Sequence, residues 1–185
     1  MKAVIFDCFG VLTTDYWREF VAALPTNLQP AASDLNKAYD AGFMSTTDFM
    51  DQVQTLTGRR PDLVEHTRTP ATKNHELLDY IAGLKPHYKI GLLSNIASNW
   101  ITDKFLTTAE QSLFDAMIFS HQVSLTKPDH RIFELMAEKL SVEPTDCIMV
   151  DDIEVNCTGA REVGMQAVIY TDFVRARPEI ERLLS

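Results

Sequence analysis

The sequence predicts an α/β protein built on a parallel sheet. Three observations point there. Short apolar runs alternate with amphipathic helical segments through the carboxyl half. Several of those runs stop abruptly at polar residues, as strands do at the ligand-binding edge of an open α/β sheet. A long stretch of helical periodicity, with no convincing strand, separates the first apolar run from the second.

Residues 3–6, Ala3-Val4-Ile5-Phe6, read as a buried strand that ends in Asp7, with the turn-permissive Gly10 three positions on. Trp17, Phe20, Val21 and Leu24 follow at helical spacing, and Pro25 closes that segment. Residues 31–41 read as a second helix, ending at Gly42. Ser45 suits a helix cap with Asp48 in the first turn; Phe49, Val53 and Leu56 form the apolar side, and Gly58 ends it. After the break at Arg59-Arg60-Pro61, a short helix is expected around Leu63 and Val64. Residues 73–84 form a clearer helix, with Leu77, Leu78, Ile81 and Leu84 facing inward.

The pattern then changes. Residues 90–93 read as a strand ending in Ser94-Asn95, followed by a helix holding Trp100, Ile101 and Phe105. Residues 116–119 are a third strand. Residues 129–140 are a helix with a broad apolar face, including Ile132, Phe133, Met136 and Leu140. Residues 147–150 are a fourth strand, ending in Asp151-Asp152. A helix over 155–163 stops at Gly164, residues 167–169 are a fifth strand, and a short terminal helix is expected after Pro178. Residues 1–13 and 85–185 are therefore expected to share one α/β core. Residues 14–84 are too long for one crossover helix, and are expected as a helical layer above the sheet edge.

At 185 residues the chain suits one domain with a modest insertion. A net charge of −9 argues against a nucleic-acid partner, whose phosphates need a basic surface. No apolar stretch is long enough to cross a bilayer, so no membrane partner is expected. The first residues enter a strand directly, without a leader pattern. Three cysteines, Cys8, Cys147 and Cys157, are an odd and low number that fits a reducing compartment. The cytoplasm is the expected location.

Four strand ends carry polar chemistry: Asp7, Ser94-Asn95, the loop with Lys127, and Asp151-Asp152. Parallel strands bring such ends to one edge. Carboxylates packed there are costly without a cation. Mg²⁺ fits, since it is commonly held by one or two carboxylates plus substrate phosphate. Lys127 supplies a point positive charge for phosphoryl oxygens, and Ser94 and Asn95 supply neutral donors. Asp7 is then placed to act as a covalent nucleophile. Singly, Asp7 also suits a chain turn, Lys127 a solvated turn, and the paired acids a helix start. Their joint placement at strand ends points to a site.

These segments resemble the haloacid dehalogenase superfamily of hydrolases. The likeness lies in residues 4–12, in Gly91-Leu92-Leu93-Ser94-Asn95, in Lys127-Pro128-Asp129-His130-Arg131-Ile132-Phe133, and in 148–161 around Asp151-Asp152. The resemblance implies a Rossmann-like five-stranded sheet of order 5-4-1-2-3, with residues 14–84 as a small helical cap. It implies Asp7 as nucleophile, and Mg²⁺ held by Asp7, the backbone carbonyl of Phe9, Asp152 and Asp151. Ser94 and Asn95 would bind the transferring group, and Lys127 would neutralise Asp7 and the phosphoryl oxygens. The implied substrate is a small phosphorylated metabolite.

One position departs from the pattern. Family phosphatases usually carry a second aspartate two residues after the nucleophile, where this chain has Phe9. Phenylalanine has no exchangeable proton, and general acid-base catalysis is typically worth ~100- to 10,000-fold. His121, His130 and Glu154 are conceivable substitutes, each also explained as a surface or helix residue. The 2-haloacid dehalogenases resemble Asp7-Cys8-Phe9-Gly10 and need no metal, but they carry serine where this chain has its paired acids. A Mg²⁺-dependent phosphatase is the favoured reading. The alternatives are a metal-independent dehalogenase using Asp7 and a non-catalytic binding or regulatory protein. Tyr16, Trp17, Tyr39, Phe43 and Met44 are expected either to line a substrate pocket or to pack the helical layer. Arg59 and Arg60 are expected either to face a substrate anion or to lie in a solvated loop. Cys8 stands beside the nucleophile as a candidate oxidation-sensitive thiol.

Overall fold

The computed structural model describes residues 1–61 and 71–185; the short helix expected around Leu63 and Val64 lies outside them. Five parallel strands form one sheet: β1 (Ala3–Phe6), β2 (Lys89–Ser94), β3 (Ala116–Phe119), β4 (Cys147–Asp151) and β5 (Gln166–Ile169). Their order is β3-β2-β1-β4-β5, the expected arrangement seen from the other edge. The order puts β1 at the centre. Phe6 pairs with Leu92 on one side and Val150 on the other. The next residue, Asp7, is therefore level with Leu93 and Asp151, and its N–H bonds to the Val150 carbonyl at 2.9 Å.

Side-chain alternation splits the strands between two apolar layers. Val4, Phe6, Ile90, Leu92, Ile148 and Val150 face one layer, with α4 (His75–Leu84) and α9 (Phe173–Leu184). Ala3, Ile5, Leu93, Ile118 and Met149 face the other, with α7 (His130–Leu140) and α8 (Glu154–Glu162). The short helices α5 (Thr108–Gln111) and α6 (Ser120–Val123) flank β3. A third, smaller cluster joins α1 (Tyr16–Ala22), α2 (Gln29–Asp40) and α3 (Thr46–Thr57). Tyr39 and Phe49 stack there with centroids 4.3 Å apart, and Trp17, Phe20 and Met44 pack around them. The Ser45 side chain caps α3 by accepting from the Asp48 N–H, and Gly58 ends it, as the spacing predicts.

One expectation is corrected, at the terminal helix. In α4, Leu77, Leu78, Ile81 and Leu84 are packed with β1, and Asn74 donates to the Val11 carbonyl and the Tyr170 hydroxyl, so this helix returns the chain to β2. The terminal helix begins before Pro178, at Phe173. The Asp172 side chain caps the Arg175 N–H, and burial of Phe173, Ala176 and Ile180 outweighs the proline inside the helix. The segment after Trp100 is one π-helical stretch, Ile101–Phe105, with its two ends, Ile101 and Phe105, buried.

Candidate active site

Lys127 is the hub. Its Nζ lies 2.8 Å from Asp7 Oδ1 and 2.6 Å from Asp151 Oδ2, and all three residues are buried. Burial alone would lower the lysine pKa; the charges of Asp151 and Asp7 overcome that and hold it raised, so the ammonium is kept charged. Asp7 is pushed well above the usual carboxylate range by burial, against the pull of Lys127, with Asp151 adding to the rise. Lys127 and the Cys8 N–H, the latter at 2.6 Å, both bond to its Oδ1.

The backbone around Lys127 is braced. The Asn95 side chain donates to the Lys127 carbonyl at 3.1 Å and accepts from its N–H at 2.8 Å. Gly159 of α8 permits this loop to sit close: a Cβ there would stand 2.6 Å from the Pro128 carbonyl oxygen. Asp151 Oδ1 accepts from the Ile153 N–H at 2.9 Å and from Asn156 Nδ2 at 3.0 Å, while Oδ2 takes the Lys127 bond.

Asp152 differs from its neighbour. One oxygen, Oδ2, is paired with the Arg18 guanidinium from α1. The other, Oδ1, is buried without a partner among the described residues. Burial pushes its carboxyl up to about 6, with Arg18 opposing and Asp151 adding to the rise. Gly10, at φ +82°, makes room for it, since any Cβ there would overlap the Asp152 carboxylate. Oxygens from Asp7, Asp151 and Asp152 all lie within 4.8 Å of one another. Three carboxylates, one of them with an orphaned buried oxygen, form a donor set that fits Mg²⁺.

A cavity of about 150 Å³ opens over Asp7, with Phe9, Asn95, Lys127 and Asn156 on the sheet side. Its far wall comes from α1, α2 and the residue before α1: Asp15, Tyr16, Trp17, Asn36 and Asp40. The Phe9 ring is stacked on Trp100 with centroids 6.0 Å apart, so the position of the usual second aspartate is apolar.

Of the expected site residues, Asp7, Lys127, Asp151 and Asp152 converge. Asn95 reaches the cavity, but its amide is engaged by the Lys127 backbone. Ser94 is fully buried, with no partner for its hydroxyl among the described residues. The candidate acids do not line the cavity: His121 bonds to the Ile96 carbonyl and Asn99, His130 pairs with Glu162, and Glu154 with Arg161. Of the expected pocket aromatics, Tyr16 and Trp17 do, whereas Tyr39 is core and Phe43 is exposed. Arg59 lies over the Phe20 ring and Arg60 pairs with Asp51. Burial pushes the Cys8 thiol well up, followed by the charge of Asp7, which leaves it a poor candidate for an oxidation-sensitive thiolate. Arg18, Asp15, Asn36 and Asp40 were not singled out from sequence, because their contacts with the site depend on how the helical layer folds over. Asn156 had a sequence signal in its segment, though not its bond to Asp151.

A parallel sheet with a central strand-end aspartate, a bridging lysine and paired acids defines a phosphotransfer- or ester-type hydrolase site. The chain belongs to the haloacid dehalogenase-like hydrolase family, whose model matches residues 1–164. It is 27% identical to a D-ribitol-5-phosphate phosphatase of Bacteroides thetaiotaomicron, over 90% of each chain. Its fold is similar to a solved protein from Porphyromonas gingivalis described as a predicted HAD-like family hydrolase, with a TM-score of 0.73, 23% identity, and 100% and 98% coverage. It is also similar to a HAD family enzyme of Bacteroides thetaiotaomicron solved in complex with magnesium and inorganic phosphate. There the TM-score is 0.68, the identity 19%, and the coverage 91% and 93%. Among the described residues, no helix is long and apolar enough to cross a membrane.

Proposed function

We propose that this hydrolase is a Mg²⁺-dependent phosphatase of small phosphate monoesters that works through an aspartyl-phosphate on Asp7. The observation that carries the reading is the buried Asp7–Lys127–Asp151 bridge beside the half-satisfied Asp152. Asp7, Asp152 and Asp151, with the Phe9 carbonyl, would hold Mg²⁺, which when bound supplies charge neutralisation for the carboxylates and phosphoryl oxygens. Asp7 attacks phosphorus as the P–O bond to the alcohol breaks, and the departing oxygen takes its proton from water; Lys127 opposes the burial that favours a protonated Asp7 and draws charge from the phosphoryl oxygens. Asn95 acts by holding Lys127 in place. Water then cleaves the acyl-phosphate and restores Asp7. Phe9 donates no proton, so esters with poor leaving groups are expected to turn over slowly. The relative named for a polyol phosphate supports a small phosphorylated metabolite as substrate. Three buried, unpaired cysteines support a cytoplasmic setting.

Phe9 favours one second reading, displacement of halide from a haloacid, because halide leaves without a proton. A panel of phosphate esters, acetyl phosphate and haloacids, assayed with Mg²⁺ and with chelator, tests both. The expected result is chelator-sensitive phosphate release, lost by at least about a thousandfold in Asp7→Asn. Haloacid turnover unaffected by chelator would overturn the phosphatase reading.

A further inference from the structure

Two runs of packed rings end at the cavity. On the sheet side, Phe9 stacks on Trp100 with centroids 6.0 Å apart, and Trp100 stacks on Phe105 at 5.0 Å. On the helical side, Trp17 lies 5.4 Å from both Phe20 and Phe49, and Phe49 stacks on Tyr39 at 4.3 Å. Phe9 and Trp17, the end ring of each run, line the cavity together with Ile96 and Ile153. Acidic groups of the helical wall are engaged within the protein. Asp15 accepts the Arg18 N–H on one oxygen and has the Arg18 guanidinium 3.5 Å from the other, and Asp40 accepts from Asn36 at 2.8 Å. A group packed on the rings, Ile96 and Ile153 displaces none of those bonds. At about 150 Å³ the cavity matches the size of an apolar cavity that takes up one benzene, ~150 Å³.

We infer that the leaving group is a single aromatic ring: the substrate class is the aryl phosphate monoester, with the ring packed on Phe9 and Trp17. The inference rests on the phosphatase reading and adds the substrate class to it. Two properties of the ring suit this site. Its apolar surface is buried against rings that are themselves held by their neighbours. Its oxygen also leaves without a proton donor. As the Asp7 oxygen bonds to phosphorus and the P–O bond to the ring oxygen breaks, the bonding pair passes to an aryl oxide. The conjugate phenol has a pKa of ~10, against ~16 for water, which simple alcohols resemble. The aryl oxide takes its proton from water after it departs, and a second water cleaves the acyl-phosphate. Phe9, with no proton to give, therefore slows such a substrate far less than an alkyl ester.

Binding and turnover test this separately. Calorimetry with Mg²⁺ compares benzylphosphonate with 2,3-dihydroxypropylphosphonate, whose P–C bonds give the site no ester oxygen to expel. The ring compound should bind at least about tenfold more tightly. Trp17→Leu and, separately, the more exposed Ile153→Asn should each cut that ratio by about threefold or more; a general loss of packing would weaken both compounds together and leave the ratio unmoved. In turnover with Mg²⁺, phenyl phosphate should exceed cyclohexyl phosphate, an ester of similar size, by at least about a hundredfold in kcat/KM, and Phe9→Asp should narrow that gap by accelerating the cyclohexyl ester. Equal or reversed phosphonate affinities, a ratio unmoved in both wall variants, no binding of either phosphonate, or a cyclohexyl ester turned over as fast as the phenyl ester overturns the inference. Preferred binding of the ring with hydrolysis of neither ester supports the ring site and counts against the phosphatase reading instead.

Discussion

The two sides of the cavity are built differently. On the sheet side, Lys127, Asp151, Asn95 and Asn156 are bound to one another, and little in that set can shift without leaving a buried charge unpaired. On the helical side, Asp15, Asn36 and Asp40 sit on a layer whose own buried cluster is Tyr39, Phe49 and Val53 with a few half-buried neighbours. The sheet has two larger layers behind it. The densely bonded groups thus stand at the strand ends, and the helical wall rests on a smaller core. Asp152 and Arg18 lie at the seam, where one ion pair joins the two sides.

The comparison breaks most severely at Lys127. Lys127→Met leaves Asp7 and Asp151 buried without their cation, and a loss of about 3–5 kcal/mol in urea unfolding is expected. A loss under about 1 kcal/mol, the range of exposed pairs, would mean that water reaches the bridge. Gly10→Ala forces a Cβ into the Asp152 carboxylate at a positive φ, and should cost about 1–3 kcal/mol and weaken Mg²⁺ binding. Unchanged unfolding and Mg²⁺ titrations would contradict that.

A pH experiment sharpens the seam. The Asp152 carboxyl is raised from the ordinary 3.8 to about 6 by burial, despite Arg18. Its folded-state pKa lies above its unfolded value, so protonation stabilises the fold at low pH and that contribution is lost as pH rises through about 6. Mg²⁺ needs the ionised form. Its addition should raise Tm by about 2–4 °C more at pH above 6 than below 4. An equal rise at both ends would show that Asp152 does not hold the ion. The smallest effect belongs to Arg18→Ala. Removing a half-exposed competitor for Asp152 should tighten Mg²⁺ binding about two- to fivefold by calorimetry. Weaker binding would instead make Arg18 a support of the site.

The strand ends were legible in the sequence for a physical reason. A run such as Ala3-Val4-Ile5-Phe6 buried on both faces reads as uninterrupted apolar residues, and the carboxylate that follows marks the edge. Asp7, Lys127, Asp151 and Asp152 could therefore be placed together before their register was known. The cavity wall was not legible. Arg18 meets Asp152 across 134 positions, and Asn36 and Asp40 look like ordinary solvated helix residues until α2 is set over Asp7. The spacing of α4 reports an inward face without saying which core that face meets. Pro178 was over-weighted against the Asp172 cap and the apolar face of α9.

The most direct test of the account is chemical trapping at residue 7. Wild-type protein incubated with acetyl phosphate and Mg²⁺, quenched in acid and digested, should yield one phosphoryl group on the peptide containing Asp7, absent from Asp7→Asn. Phosphate release with that peptide unlabelled, or with the label on another side chain, would contradict the assignment of Asp7 as nucleophile.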